Sequence, residues 1–260
     1  MKRPEIKLKN MGDNEIGDLL PDNLIILGYR GSIAHGMYIP SEDPNSIDDK
    51  DLMGVFIPGL EHYFGLHKHE HHEKFIKEWD SVSYELVKFV RLLLKCNPNV
   101  LSLLWLNENH YLYVHPVGRK LIENRDIFVT KEAYHSFNGY AWGQFNRMIK
   151  FSFEGYMGEK RKSLVEKYGY DTKNAAHLVR LLDMGIEFLN EGRLYVERKH
   201  PQKYLAIKRG EWSLDEVKKE ANRLFSLAQE SYVKSSLPMK PDRKKADQLL
   251  IDLIKEYHNL

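Results

Sequence analysis

Gly31 and Ser32 follow the apolar run Leu24–Tyr29 and Arg30, at a point where a strand can turn into a helix. Backbone amides and a hydroxyl placed there can face a polyphosphate, although a serine at a helix start is equally an N-cap with no ligand. Further on, Asp48-Asp49-Lys50-Asp51 sets Asp49 and Asp51 two residues apart, hence on one face of an extended segment. Adjacent carboxylates repel and desolvate badly unless a cation neutralises them, and Mg²⁺, which shares its shell with substrate phosphates, is the natural one. Asp80, just ahead of the helical run that starts near Tyr84, can complete the set from a neighbouring strand; Glu85 competes for that role, and an N-cap is the plain alternative for Asp80. Two metals about 4 Å apart can activate an attacking hydroxyl and stabilise a leaving pyrophosphate. That is the chemistry of phosphoryl or nucleotidyl transfer, with Asp80 also placed to accept the proton. The competing reading of Asp49 and Asp51 is a solvated acidic turn.

Other residues invite weaker readings. His67-Lys68-His69-Glu70-His71-His72 holds four imidazoles and a carboxylate within six positions, a transition-metal set or simply an exposed polar loop after Gly65. His177 and Arg180 lie three apart on one helix face and can hold phosphate, Arg180 bidentately; a paired surface is the alternative. Lys160, Arg161, Lys162, Lys167, Arg193, Arg198, Lys199, Lys203, Lys208 and Arg209 are interleaved with Tyr168, Tyr170, Tyr195, Tyr204 and Trp212, a pattern that suits phosphate contacts and base stacking in RNA as well as solvated helix faces over aromatic anchors. Nearby acids such as Glu159, Glu166 and Asp171 dilute that charge. Cys96 reads as a buried thiol.

These residues must be positioned by a mixed set of elements. Leu24–Tyr29 and Asp51–Ile57 read as strands, Trp79–Ser83 as a short third, with a turn-rich loop from Gly36 to Asp48 between the first two. From Ser83 the period becomes helical: Leu86, Phe89, Val90 and Leu93 repeat until Asn97-Pro98. Helical stripes follow at Ala175–Leu189, ending near Gly192, at Val217–Ala228, and at Leu249–Tyr257 after the linker Ser235–Pro241. Strands first and helices after argue for an α+β chain with a small catalytic sheet. We expect a catalytic domain over residues 1–110 and a mainly helical region over 111–260. The 260 residues carry 39 Lys and Arg against 37 Asp and Glu, so a uniformly basic nucleic-acid coat is excluded and any polyanion must be met locally. A single cysteine excludes a disulfide framework and a Cys-based zinc ribbon, and fits a reducing compartment. No apolar run long enough for a membrane span and no signal-type h-region is present, so the expectation is a soluble cytoplasmic protein.

In order, Gly31-Ser32-Ile33-Ala34-His35-Gly36 and Asp49-Lys50-Asp51-Leu52-Met53-Gly54-Val55 resemble the G-S-x-A-x-G … D-x-D-x-x-G-V signature of predicted nucleotidyltransferases of the DNA polymerase β superfamily, in particular the RNA-repair-associated RlaP branch. The likeness continues through Asp80, Tyr84-Glu85-Leu86, Asn97-Pro98-Asn99 and Leu104-Trp105, and returns at Tyr168–Asp171, His177–Leu182 and Gly192-Arg193-Leu194. The resemblance implies a polymerase-β-like nucleotidyltransferase fold followed by a helical C-terminal region, moving a nucleoside monophosphate from an NTP, ATP among them, to an acceptor hydroxyl, with an RNA or tRNA end as acceptor. It implies Gly31 and Ser32 as the triphosphate-holding motif, Asp49 and Asp51 as the metal pair, Asp80 as the third carboxylate, and two Mg²⁺ ions, with Mn²⁺ as a substitute. The loop Met37–Asp48 departs from the compact members in its length. The rival functions are nucleotidylation of a protein or small molecule, and a silent nucleotide- or RNA-binding module.

Overall fold

The computed structural model describes residues 6–40, 43, 46, 48–66, 68–149 and 159–260. Its first elements are α1 (Asp13–Leu19), β1 (Leu24–Tyr29), α2 (Gly31–Ala34), β2 (Lys50–Phe56), α3 (Leu60–Phe64), β3 (His71–Ile76), β4 (Trp79–Glu85), α4 (Leu86–Leu93), α5 (Pro98–Leu103), β5 (Tyr111–Val114) and α6 (Pro116–Glu123). The five strands form one mixed sheet in the order β3-β4-β2-β1-β5, with β2 and β4 parallel and the other pairs antiparallel. The expected α+β class is therefore what the chain adopts.

Each expected strand is present for the expected reason. β1 is buried from Leu24 to Gly28, as an apolar run covered on both faces must be. One face packs on Ile6, Leu8, Ile16, Leu19 and Leu20, together with Phe56 and Trp79 from the neighbouring strands. β3 and β5, by contrast, are the two edges: β3 exposes His71, Glu73, Lys74 and Phe75, and β5, Tyr111-Leu112-Tyr113-Val114, is apolar and aromatic but half-buried and only four residues long. The stripe Leu86, Phe89, Val90, Leu93 is the buried face of α4. Asn97-Pro98 ends that helical run by starting another, since the Asn97 side chain accepts from the amides of Asn99 (3.1 Å) and Val100 (3.3 Å) with Pro98 at the first turn of α5.

The remaining helices are α7 (Glu132–Ile149), α8 (Glu159–Tyr168), α9 (Thr172–Glu191), α10 (Gln202–Lys208), α11 (Leu214–Lys234) and α12 (Arg243–His258). α9 is the hub of the helical part: α7, α10 and α11 pack on it, and Phe137 and Phe188 stack at 6.2 Å. Asp171 caps its start and Gly192, at φ 65°, ends it in the left-handed region. The long α7, whose apolar residues follow no clean period, was not anticipated.

Two compact units result: residues 1–34, 49–128 and 241–260 form unit 1, and residues 35–48 and 129–240 form unit 2. They do not follow a single cut near residue 110. β5 and α6 belong with the sheet, and so does α12, whose Glu256 pairs with Lys120 at 2.5 Å and whose His258 ring nitrogen meets the Pro58 carbonyl at 3.1 Å. Among the described residues no helix is long and apolar enough to cross a membrane.

Glu85 fixes the junction between sheet and helix. Its buried carboxylate accepts from the amides of Val87 (2.8 Å) and Lys88 (3.0 Å) and from the Tyr63 hydroxyl (3.1 Å). Glu85→Ala is expected to lower stability by about 2 kcal/mol, because cap and buried acceptor are lost together. Urea denaturation checks this; an unchanged midpoint contradicts it.

Candidate active site

β1, β2 and β4 place the residues that can do chemistry in unit 1. In the parallel pairing Asp51 of β2 stands opposite Asp80 of β4, so the two carboxylates rise from neighbouring strands on one face. Arg30, the first residue after β1, is tied by its amide to the Asp51 carbonyl at 2.9 Å. Its guanidinium reaches both acids, with Nη2 3.0 Å from Asp80 Oδ2 and 3.5 Å from Asp51 Oδ1. The three side chains are 24–31% exposed, enough to admit a ligand while keeping the pair in reduced screening. Arg30 was not singled out from the sequence. A lone arginine ending an apolar strand beside a motif rich in acids is the signal that was there.

Gly31 follows at φ +60°, and a Cβ on it would lie 2.1 Å from Asp51 Oδ2. Glycine is required here twice, by the backbone conformation and by the carboxylate resting against it. Ser32, next in the single turn of α2, has its Oγ buried with no hydrogen-bond partner among the described residues, an orphaned donor and acceptor of the kind a ligand oxygen satisfies. Asp49 is exposed and directly precedes β2. Among the described residues no three His, Cys, Asp or Glu side chains converge to hold a metal, so Asp49 is not gathered with Asp51 and Asp80. The donor set still fits Mg²⁺: two in-register carboxylates sharing one cation, beside an orphaned hydroxyl, leave room for the substrate oxygens that this ion takes alongside one or two carboxylates.

Glu85, the competitor for the third acid, lies on the opposite face of β4 from Asp80 by strand alternation and is occupied as the α4 cap. Asp80 is a strand residue paired to Arg30 and caps no helix.

His177 and Arg180 lie on α9 in unit 2. Arg180 is buried, donates from Nη1 to Met184 Sδ at 3.1 Å, and has its pKa pulled down to about 9, chiefly by burial and then by the charge of Arg198. His35 of the same unit is buried with Nδ1 2.8 Å from the Val196 carbonyl; burial first, then the Arg180 charge, holds its pKa well below the ordinary imidazole range. His177 Nε2 is buried.

The histidine-rich stretch leads into the edge strand β3. His67 lies outside the described residues; His69 takes part through its amide in a hydrogen bond to His62 Nδ1 (3.0 Å), and His72 Nε2 meets the Asp18 carbonyl at 3.3 Å. The basic and aromatic residues of the C-terminal half are largely engaged with one another and with acids. Lys199 lies 4.5 Å from the Tyr195 ring centroid and Lys167 4.8 Å from that of Tyr168, the Tyr170 hydroxyl donates to the Trp212 carbonyl at 2.6 Å, and Lys203 bridges Asp183 (3.0 Å) and Glu220 (2.9 Å). The side chains of Lys160 and Arg161 lie outside the described residues. Cys96 is buried, its thiol 3.4 Å from the Phe128 carbonyl.

A small mixed sheet that carries an in-register carboxylate pair, with a glycine-serine turn leaving the neighbouring strand, is the layout of a polymerase-β-like nucleotidyltransferase fold. The chain belongs to the RlaP family, described as the RNA repair pathway DNA polymerase beta family, which it matches over residues 14–252. No curated protein and no solved structure matches it. Family membership thus sets the activity at the level of a polymerase-β-type nucleotidyltransferase in RNA repair.

Gly31→Ala is expected to cost about 2–3 kcal/mol, from the left-handed backbone and from displacing Asp51. In an Asp51→Ala background the second part vanishes and about 1–2 kcal/mol remains. Denaturation of the four proteins of this cycle measures the difference; additive costs would show that the carboxylate does not rest on Gly31.

Proposed function

We propose that the chain transfers a nucleoside monophosphate from an NTP to the hydroxyl of an RNA end, tRNA included, at the Asp51–Asp80 site of unit 1. The observation that carries this is the pair itself: two carboxylates held in register on parallel strands, against a glycine that cannot be replaced without moving one of them. Asp51 and Asp80 would hold Mg²⁺, or Mn²⁺ in its place, with Asp49, which lies apart from the pair, drawn in as a third ligand only when the ion binds; the bound ion would neutralise the triphosphate and acidify the acceptor hydroxyl.

The chain's own residues supply the rest. Ser32 Oγ, buried and unsatisfied among the described residues, offers its hydroxyl to a phosphate oxygen, while the missing Cβ of Gly31 leaves the room in which the Asp51 carboxylate rests beside it. Arg30 holds Asp51 and Asp80 near each other against their repulsion and limits the charge presented to an incoming polyanion. Asp80, 3.0 Å from the guanidinium, is the carboxylate placed to accept the proton of the attacking hydroxyl. His177 and Arg180 are proposed as phosphate-holding groups in unit 2. The buried single cysteine and the lack of a membrane-spanning helix among the described residues are consistent with work in the cytoplasm.

The test is transfer of label from each α-³²P-NTP in the presence of Mg²⁺ and total RNA, beside an Asp49→Ala/Asp51→Ala double variant. We expect ribonuclease-sensitive labelling that falls roughly a thousandfold or more in the variant, as loss of several kcal/mol of transition-state stabilisation requires. Label that resists ribonuclease and yields to protease would replace RNA by a protein acceptor. Absence of both labelling and Mg²⁺-dependent NTP binding would overturn the catalytic reading.

A further inference from the structure

α7 lacks a clean apolar period because it has two faces to serve. Ala133, Phe137, Ala141 and Met148 are buried, with Phe137 stacked on Phe188 of α9. Tyr134, Asn138 and Trp142 recur every four residues on a different face of the same helix, and Phe225 and Gln229 do so on α11. Between these two faces, within unit 2, runs an open groove of about 680 Å³ whose lining holds no charged side chain. Trp142 stacks with Phe145 at 5.5 Å between ring centroids, and Phe225 stands nearly upright to both, 5.8 Å from Trp142 and 6.3 Å from Phe145. Those three distances put Phe145 and Phe225 on one side of the indole. Its other side is covered by neither ring, and Trp142 is 54% exposed, whereas Trp79 and Trp105 are buried and Trp212 is half-buried. The polar groups along the groove are neutral and have capacity to spare. Ser226 Oγ donates to the Asn222 carbonyl at 3.2 Å and keeps its lone pairs, and Gln229 accepts the Tyr134 hydroxyl at Oε1 and keeps its amide N–H groups. The Asn138 side chain has no hydrogen-bond partner among the described residues.

We propose that this groove takes an unpaired base of an RNA strand, stacked on the open side of Trp142 with its edge toward Asn138, Ser226 and Gln229. A planar ring suits an aromatic wall, and amide and hydroxyl groups suit the donors and acceptors of a base edge. A lining without charge suits the one part of a nucleotide that is neutral. An aliphatic partner surface would leave the amides unpaired. A free NTP would bring its triphosphate to a groove with no cation in its lining, whereas in a strand the phosphates can lie outside the groove. The choice of polymer rests on the RNA acceptor proposed above; the groove residues are separate from Asp49, Asp51 and Asp80.

Tryptophan emission of the full chain, titrated with a single-stranded oligoadenylate, tests this. We expect a saturable quench, absent in Trp142→Phe and absent when the same oligomer is first annealed to oligouridylate. By anisotropy of a labelled oligomer, Trp142→Ala is expected to bind roughly five- to a hundredfold more weakly. That factor is expected to be the same at low and at high salt, because no phosphate contact is removed. No quench, a quench that persists in Trp142→Phe, or a shallower salt dependence in Trp142→Ala overturns the site. Trp142→Phe keeps a ring on an exposed position, so the quench decides the matter even if Trp142→Ala does not fold. ATP quenching as deeply as the oligomer at equal nucleotide concentration would assign the groove to a free nucleotide, and emission that follows protein concentration but not RNA would assign it to a second copy of the chain; either result overturns the proposal. Asp49→Ala/Asp51→Ala is expected to keep the full quench. A quench without transfer therefore removes the transferase reading alone, and transfer without a quench removes the groove alone.

Discussion

Two carboxylates at paired positions of parallel strands repel each other, and unit 1 is arranged around what offsets that repulsion. Asp51 and Asp80 are opposite one another because β2 and β4 pair in register from Lys50–Trp79 to Phe56–Glu85. Neither can move away, since β2 is buried from Leu52 onward and β4 is anchored by buried Trp79 at one end and Glu85 at the other. What can adjust is the chain that leaves β1. There Arg30 supplies the cation and Gly31 supplies the space, and both are fixed by one backbone hydrogen bond, from the Arg30 amide to the Asp51 carbonyl. A ligand that brings divalent cations competes with a guanidinium already in place.

How much of this the sequence disclosed follows from the strength of each local signal. β1, β2 and β4 could be read because they are central strands with apolar runs, and α4, α9, α11 and α12 because their stripes are periodic. β3 could not, because it is an exposed edge with little to bury, and β5, although its Tyr111-Leu112-Tyr113-Val114 is strand-forming, is too short at four residues to show a period. Asp51 and Asp80 were legible as chemistry. That Arg30 lies between them was not, since the contact spans 50 positions and depends on strand order. In unit 2 the sequence marked His177 and Arg180 by spacing alone, and only the fold shows that Arg180 has no acidic partner among the described residues while Lys208 and Arg198 have theirs.

The same residue types thus serve opposite ends in the two units. In unit 1 one arginine, Arg30, faces the two carboxylates of Asp51 and Asp80; in unit 2 one carboxylate, Asp48, is approached by both Lys208 and Lys173. The whole-chain charge of +2 shows neither arrangement, because both are local and the two units differ only modestly in net charge, about −1 for unit 1 and +3 for unit 2.

Unit 1 is assembled from three stretches of chain, the last of them α12, with unit 2 inserted between. On a ribosome the sheet's first strands emerge long before the helix that covers α6 and reaches Pro58. The helical unit, by contrast, has all its segments in hand once residue 240 has been made, although its first stretch, 35–48, emerges from within the other unit. Vectorial synthesis therefore favours completion of the inserted unit first, leaving unit 1 to close only after α12 has been made, so that a nascent chain stalled before α12 carries a finished helical unit and an unfinished sheet.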